Sequence, residues 1–184
     1  MFIAKQLKDK NIAEYLLYMW QVEDLLRANG LDIEKVKQTI VDRYQLDDTQ
    51  KAELTHWYED LINMMRLEGV SEEGHLQINK NTLLSLTDLH LQLLHSSKVP
   101  FYGAAYYKAL PYMVELRAKN DKKELPELET CFDALYGVML LRLQKKEISA
   151  ETQKAVAEIS NFISLLANYY EKEQRGELDE ILNN

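Results

Sequence analysis

The chain has 184 residues, 46% hydrophobic and 28% charged, the composition of one soluble globular domain with its own core rather than of a disordered polymer. Its 22 basic and 30 acidic residues leave a formal charge of −8, which argues against the basic footprint of a broad nucleic-acid binder or a polybasic membrane-surface protein. Six glycines and three prolines supply too little turn material for a many-stranded β architecture.

Helical periodicity runs through nearly every segment. A first helix is predicted over residues 4–28, with Gly30 placed to end it in the left-handed conformation. Asp32 caps a short second helix to about residue 44, and Asp47-Asp48-Thr49-Gln50 starts a third that reaches Glu68 and stops at Gly69. Residues 70–79, with Gly74, form the least regular stretch. Asn81 is expected to cap a fourth helix to residue 97. Pro100 opens a fifth over 101–119, and Pro111 inside it should kink or split it because the ring removes a backbone donor. Asn120-Asp121-Lys122-Lys123 is a polar connector, and Pro126 suits the first turn of a sixth helix reaching Lys146. Ser149 starts a seventh, which ends near Gly176; beyond that the chain is expected to fray. The expected fold is all-α: a single domain over 1–184, an antiparallel bundle of six to seven helices joined by short connections. Neither a helical repeat of constant period nor sustained heptads is present.

Cys131 is the only cysteine, so neither an intramolecular disulfide nor a cysteine-based zinc site can form. The N-terminal residues carry charge from Lys5 onward and lack an apolar signal core, and residues 81–97 are too polar to span a bilayer. A cytoplasmic, reducing setting is the simplest fit, with no nucleic acid and no membrane among the expected partners.

Motifs that carry chemistry are sparse. No glycine-rich phosphate loop, nucleophile elbow or His-Glu-x-x-His helix occurs. Glu53 and His56 form a Glu-x-x-His pair, and with Glu23 resemble half of a di-iron carboxylate bundle, but the second half is missing. Glu72 to His75 has the spacing yet spans Gly74, and no histidine follows His95. Neither a metal nor a cofactor is expected.

More informative are polar residues on apolar helix faces. At the ~100° step of an α-helix, Glu23 falls among Ile12, Leu16 and Met19, with Arg27 one turn on as a potential partner. His90 falls between Leu83, Leu86 and Leu94; Arg117 shares an arc with Tyr106, Leu110 and Met113; Arg142 lies with Cys131, Leu135 and Val138. Burying such charges costs several kcal/mol unless they are paired. Either they form a structural network, with arginine stems lying flat and heads reaching water, or they line a cavity. In the second case Glu23, His90, Arg117, Arg142 and Tyr106 form a ligand site in which the arginines face an anionic group. The 11 tyrosines, against 4 Phe and 2 Trp, suit core edges and also a partner surface or pocket wall around residues 101–112.

Four strings, Asn11-Ile12-Ala13-Glu14-Tyr15-Leu16, Gly74-His75-Leu76-Gln77, Leu110-Pro111-Tyr112 and Leu140-Leu141-Arg142-Leu143-Gln144, resemble a domain-of-unknown-function family of uncharacterised bacterial proteins of about this length, chiefly from Bacteroidetes. The resemblance implies a bacterial, cytoplasmic, helical protein and supplies no functional residues. Three functions stay open, in this order: a non-catalytic binding or interaction protein whose partner is another protein or a second copy of the chain, a bundle that binds a small ligand at its interior polar residues, and an enzyme built from Glu, His and Tyr.

Overall fold

The computed structural model describes residues 2–119 and 126–183, and among them every regular element is helical. The connector expected at residues 120–123 lies outside the described residues. Helices α1 (Phe2–Lys10) and α2 (Ile12–Ala28) replace the single helix expected over 4–28. The break falls at Asn11, whose backbone is extended (φ −158°) and whose Oδ1 accepts from the N–H groups of Ala13 and Glu14 at 3.1 and 3.2 Å. An asparagine cap restarts the helix there while the apolar period continues past it, so hydrophobic spacing alone does not reveal the break.

Helix α3 (Ile33–Thr39) follows its Asp32 cap, then a single 3₁₀ turn at Val41–Arg43 leads to α4 (Asp48–Leu67). Asp47 and Gln50 close a reciprocal capping box at the start of α4. Gly69 ends it at φ +70°, with the Val70 N–H returning to the Met65 carbonyl at 2.9 Å. Helix α5 (Gln77–His95) begins four positions before the expected Asn81 cap. Its N-cap residue, Leu76, has no capping side chain, and its N–H is taken by a residue of α2 instead.

Helix α6 (Pro100–Lys119) runs through Pro111 without being split. The carbonyl that loses its partner belongs to Tyr107, and both Tyr107 and Pro111 lie on the exposed side, where water can bond it. Helices α7 (Glu127–Leu143) and α8 (Ala150–Gln174) follow Pro126 and the Ser149 cap as expected. The last described segment is a short helix, α9 (Leu178–Asn183), where fraying was expected.

One hydrophobic core runs from Ala4 of α1 to Leu178 of α9. Its spine is α8, whose Ile159, Phe162, Ile163 and Leu166 are almost fully buried; α8 packs most extensively on α6 and also meets α2, α5 and α7. Each such side chain contributes roughly 1.5–3 kcal/mol by leaving water. Helix α2 reaches α4, α5, α7 and α8, so a polar residue on its inner face is enclosed on several sides.

Candidate polar site and adjoining cleft

Glu23 is that residue. It sits on the apolar arc of α2 and is completely shielded from solvent (0% exposed). A carboxylate in such a place must be met by donors, and three converge on it. Its Oε2 lies 2.6 Å from Nδ1 of His75, while Oε1 accepts from the Leu76 backbone N–H at 2.9 Å and from Nδ2 of Asn79 at 2.7 Å. Because the carboxylate is purely an acceptor, it fixes the proton of His75 on Nδ1 and turns the Asn79 amide nitrogen inward.

All three donors come from the end of the irregular stretch and the first turn of α5. Arg27, the partner expected for Glu23, does different work. It pairs with Asp24 at 2.9 Å and donates to the backbone carbonyls of Val70, at 3.1 Å, and Gly74. Asp24 is the solvent-facing acid on this turn and so the accessible ion-pair partner, whereas Glu23 is already saturated by neutral donors and His75. Arg27 thereby pins the turn that carries His75. Gly74 occupies the left-handed region at φ +85°, which an L side chain rarely adopts, and this lets the chain reverse just before His75.

The His75 ring lies flat on Trp20 of α2, with centroids 4.0 Å apart and planes inclined by 12°. Phe132 and Tyr136 of α7 meet Trp20 edge-on. The Tyr136 hydroxyl donates to Asp24 Oδ2 at 2.6 Å, and burial, reinforced by that hydrogen bond, raises its pKa above the usual tyrosine range. The imidazole is thus held in plane by an aromatic stack and in rotation by a buried carboxylate.

Beside this pair opens a cleft of about 280 Å³, near the lower end for small-molecule sites. Trp20, His75, Asn79, Leu83, Pro126 and Glu129 contribute to its lining, with Lys80 also among the lining residues. Asn79 is 1% exposed, and with its amide nitrogen committed to Glu23 its Oδ1 has no hydrogen-bond partner among the described residues. A buried orphan acceptor is uncommon and costly unless a bound molecule or water completes it.

A second polar cluster surrounds His90 of α5. Its Nδ1 is hydrogen-bonded to the Tyr102 hydroxyl at 2.6 Å, and its ring packs against Tyr106 and Phe162 with centroids 5.1 and 5.4 Å away. Burial lowers the His90 pKa from its ordinary value, opposed by the negative charge of Glu127. The Tyr106 hydroxyl donates to Glu127 at 3.0 Å; burial and then that bond push its pKa up to about 12. Burial pushes the Cys131 thiol up to about 12 as well. Tyr106 and Cys131 therefore keep their protons near neutral pH, and burial favours the uncharged ring of His90, so the packed cluster carries no charge of its own on these three groups.

The five residues singled out from helical faces therefore divide. His90 and Tyr106 meet in the aromatic cluster, whereas Glu23 belongs with His75 and Asn79. Arg117 on α6 is half-buried, and its Nε has no hydrogen-bond partner among the described residues. Arg142 is exposed, which corrects its assignment to an inner face: it stands in the last turn of α7, where a cation favours the carbonyl end of the helix. No described ion pair or hydrogen bond joins either arginine to Glu23, His90 or Tyr106. Face arithmetic missed His75, Asn79 and Trp20; the only sequence signal at His75 was its spacing from Glu72 across Gly74.

His56 is exposed on α4, 3.6 and 3.7 Å from Glu59 and Asp60, and among the described residues no group of three or more His, Cys, Asp or Glu side chains could hold a metal ion. A larger cleft of about 460 Å³ between α6, α7 and α8 is mostly apolar, with Tyr112, Leu116, Val138 and Leu141 in its lining together with the acids Glu115, Asp133 and Glu151. No described helix is long and apolar enough to cross a membrane.

Fold and site together define an all-helical protein with a buried carboxylate–imidazole pair beside an open cleft. Residues 1–177 match the family model described as a domain of unknown function (DUF4924), and the chain belongs to that family. No curated protein and no solved structure matches it.

Proposed function

We propose that the protein binds a small molecule in the cleft beside the Trp20–His75 stack. The observation that carries this reading is Asn79: its Oδ1 is buried with no hydrogen-bond partner among the described residues, and Asn79 lines that cleft. Glu23, Arg27 and Trp20 hold His75 and Asn79 in place without a ligand, which is the preorganisation that lowers the cost of binding. A cytoplasmic setting accompanies the proposal, since the single cysteine is a buried free thiol and the surface is acidic.

The two tryptophans make the test simple, because Trp20 lines the cleft and Trp57 lies on α4. A fragment library screened by two-dimensional NMR should move the Trp20 indole N–H resonance and leave that of Trp57 in place. Absence of any Trp20 response across a chemically diverse library would overturn the reading.

A second reading is supported by exposed apolar side chains. Leu84 and Leu91 on α5, and Tyr107 and Val114 on α6, are each seven residues apart and between 48% and 67% exposed. Such a surface suits a protein partner or a second copy of the chain. Light scattering over a wide concentration range tests self-association, and a constant monomer mass would remove the second copy.

A further inference from the structure

The cleft has a chemical polarity of its own. Asn79 Oδ1 can only accept, and so can the carboxylate of Glu129, which lines the cleft from the first turn of α7. Trp20, Leu83, Leu84 and Pro126 add apolar, partly flat walls, while the polar Gln77 and Thr87 in the lining already donate, Gln77 Nε2 to Asn81 Oδ1 at 2.8 Å and the Thr87 hydroxyl to the Leu83 carbonyl at 2.8 Å. The cationic lining residue, Lys80, is exposed on α5 and belongs to the rim rather than the buried end.

We propose that the cleft selects a small, flat ligand rich in N–H donors: an amidine, an aromatic amine or an amino-substituted heterocycle. The inference rests on the binding role proposed above and names the class of molecule that fits the same site. A ligand N–H facing Asn79 would complete the orphan oxygen, and a positive or strongly donating nitrogen would meet Glu129. An anion at that end would face an acceptor-only amide oxygen and a carboxylate. The net charge of −8 adds a long-range field that favours cations over anions. A negative substituent would have to reach the exposed Lys80 to find a cation in this lining.

Four probes of similar size separate the possibilities: benzamidine, 2-aminobenzimidazole, benzoate and benzyl alcohol. Titrations of the full chain, followed at the Trp20 indole resonance, should give the two N–H donors a Kd at least about tenfold below that of benzoate. Glu129→Gln should weaken benzamidine about three- to tenfold and leave benzyl alcohol unchanged. Asn79→Leu should weaken both N–H donors; since Asn79 also supports Glu23, the Glu129 variant keeps the test decisive where the Asn79 variant fails to fold.

Benzoate binding as tightly as benzamidine, or benzamidine binding undiminished by Glu129→Gln, would overturn the donor assignment. If other fragments move the Trp20 signal and neither N–H donor does, the donor class is wrong and the binding site stands. If no fragment moves it, both proposals fall.

Discussion

Glu23 and His75 are 52 residues apart in sequence and 2.6 Å apart in space, and the bond between them joins the inner face of α2 to the entrance of α5. Few other polar contacts reach so far into the core. The same carboxylate also accepts the Leu76 N–H, so it acts as the side-chain cap that α5 lacks locally.

Removing Glu23 should therefore cost more than a typical core truncation. Glu23→Ala strands His75, the Leu76 amide and the Asn79 amide nitrogen in a closed environment, and the expected destabilisation is about 3–5 kcal/mol. Urea denaturation followed by far-UV circular dichroism measures it. A loss below about 1 kcal/mol would mean that water reaches the three donors.

Arg27→Met keeps much of the apolar stem and removes the grip on the Val70 and Gly74 carbonyls. The expected effect is local. Amide hydrogen exchange in residues 70–76 should accelerate at least about tenfold, while the amides of α8 keep their protection. Equal acceleration in both places would show that Arg27 supports the whole fold rather than this turn.

His90 gives a pH dependence whose sign is fixed by its burial. Its folded pKa lies below the ordinary histidine value of 6.5, so the unfolded chain binds more protons as pH falls through that range. The contribution is complete above pH 6.5 and is lost as pH drops from there towards the lowered folded value. His90→Phe should flatten this part of the stability profile, and it should cost about 1–3 kcal/mol at neutral pH by leaving the Tyr102 hydroxyl unpaired. Denaturation midpoints of both proteins between pH 5 and about pH 8, the range in which histidine titrates, supply the comparison.

Cys131 should be inert in the folded protein. It is completely buried, and its pKa is pushed up to about 12, so both access and thiolate fraction are low. A disulfide-exchange reagent such as Ellman's should react stoichiometrically in denaturant and by less than about a tenth as fast without it. Comparable rates in the two conditions would point to frequent opening of α7.

Asn11→Ala tests the break between the first two helices. Loss of the cap should destabilise the protein by about 1 kcal/mol, read from the thermal midpoint. A gain in stability would show that one continuous helix is the better solution for residues 2–28.

The helices that were legible in the sequence are those with chemically explicit ends: Asp32, the Asp47–Gln50 box, Ser149, and the glycines at 30, 69 and 176. The start of α5 was not, because Leu76 has no capping side chain and its N–H is met by a residue from another helix. Placing Glu23 on a buried face needed only the helical period. Finding its partners did not follow, since His75 and Asn79 reach it through a turn whose path depends on Arg27 and Gly74. Arg142 misled for a different reason: α7 is apolar around much of its circumference, so sharing an arc with Cys131 and Val138 says little about which end of the helix the core covers.

The hold of Arg27 on residues 70 and 74 has an evolutionary side. It grips carbonyl oxygens, which every amino acid carries, so Ser71, Glu72 and Glu73 can change identity without loosening it. Gly74 lacks that freedom because of its left-handed backbone. Among diverging relatives, drift should thus gather between two fixed points, altering the outer surface of the turn while the imidazole beneath it stays where it is.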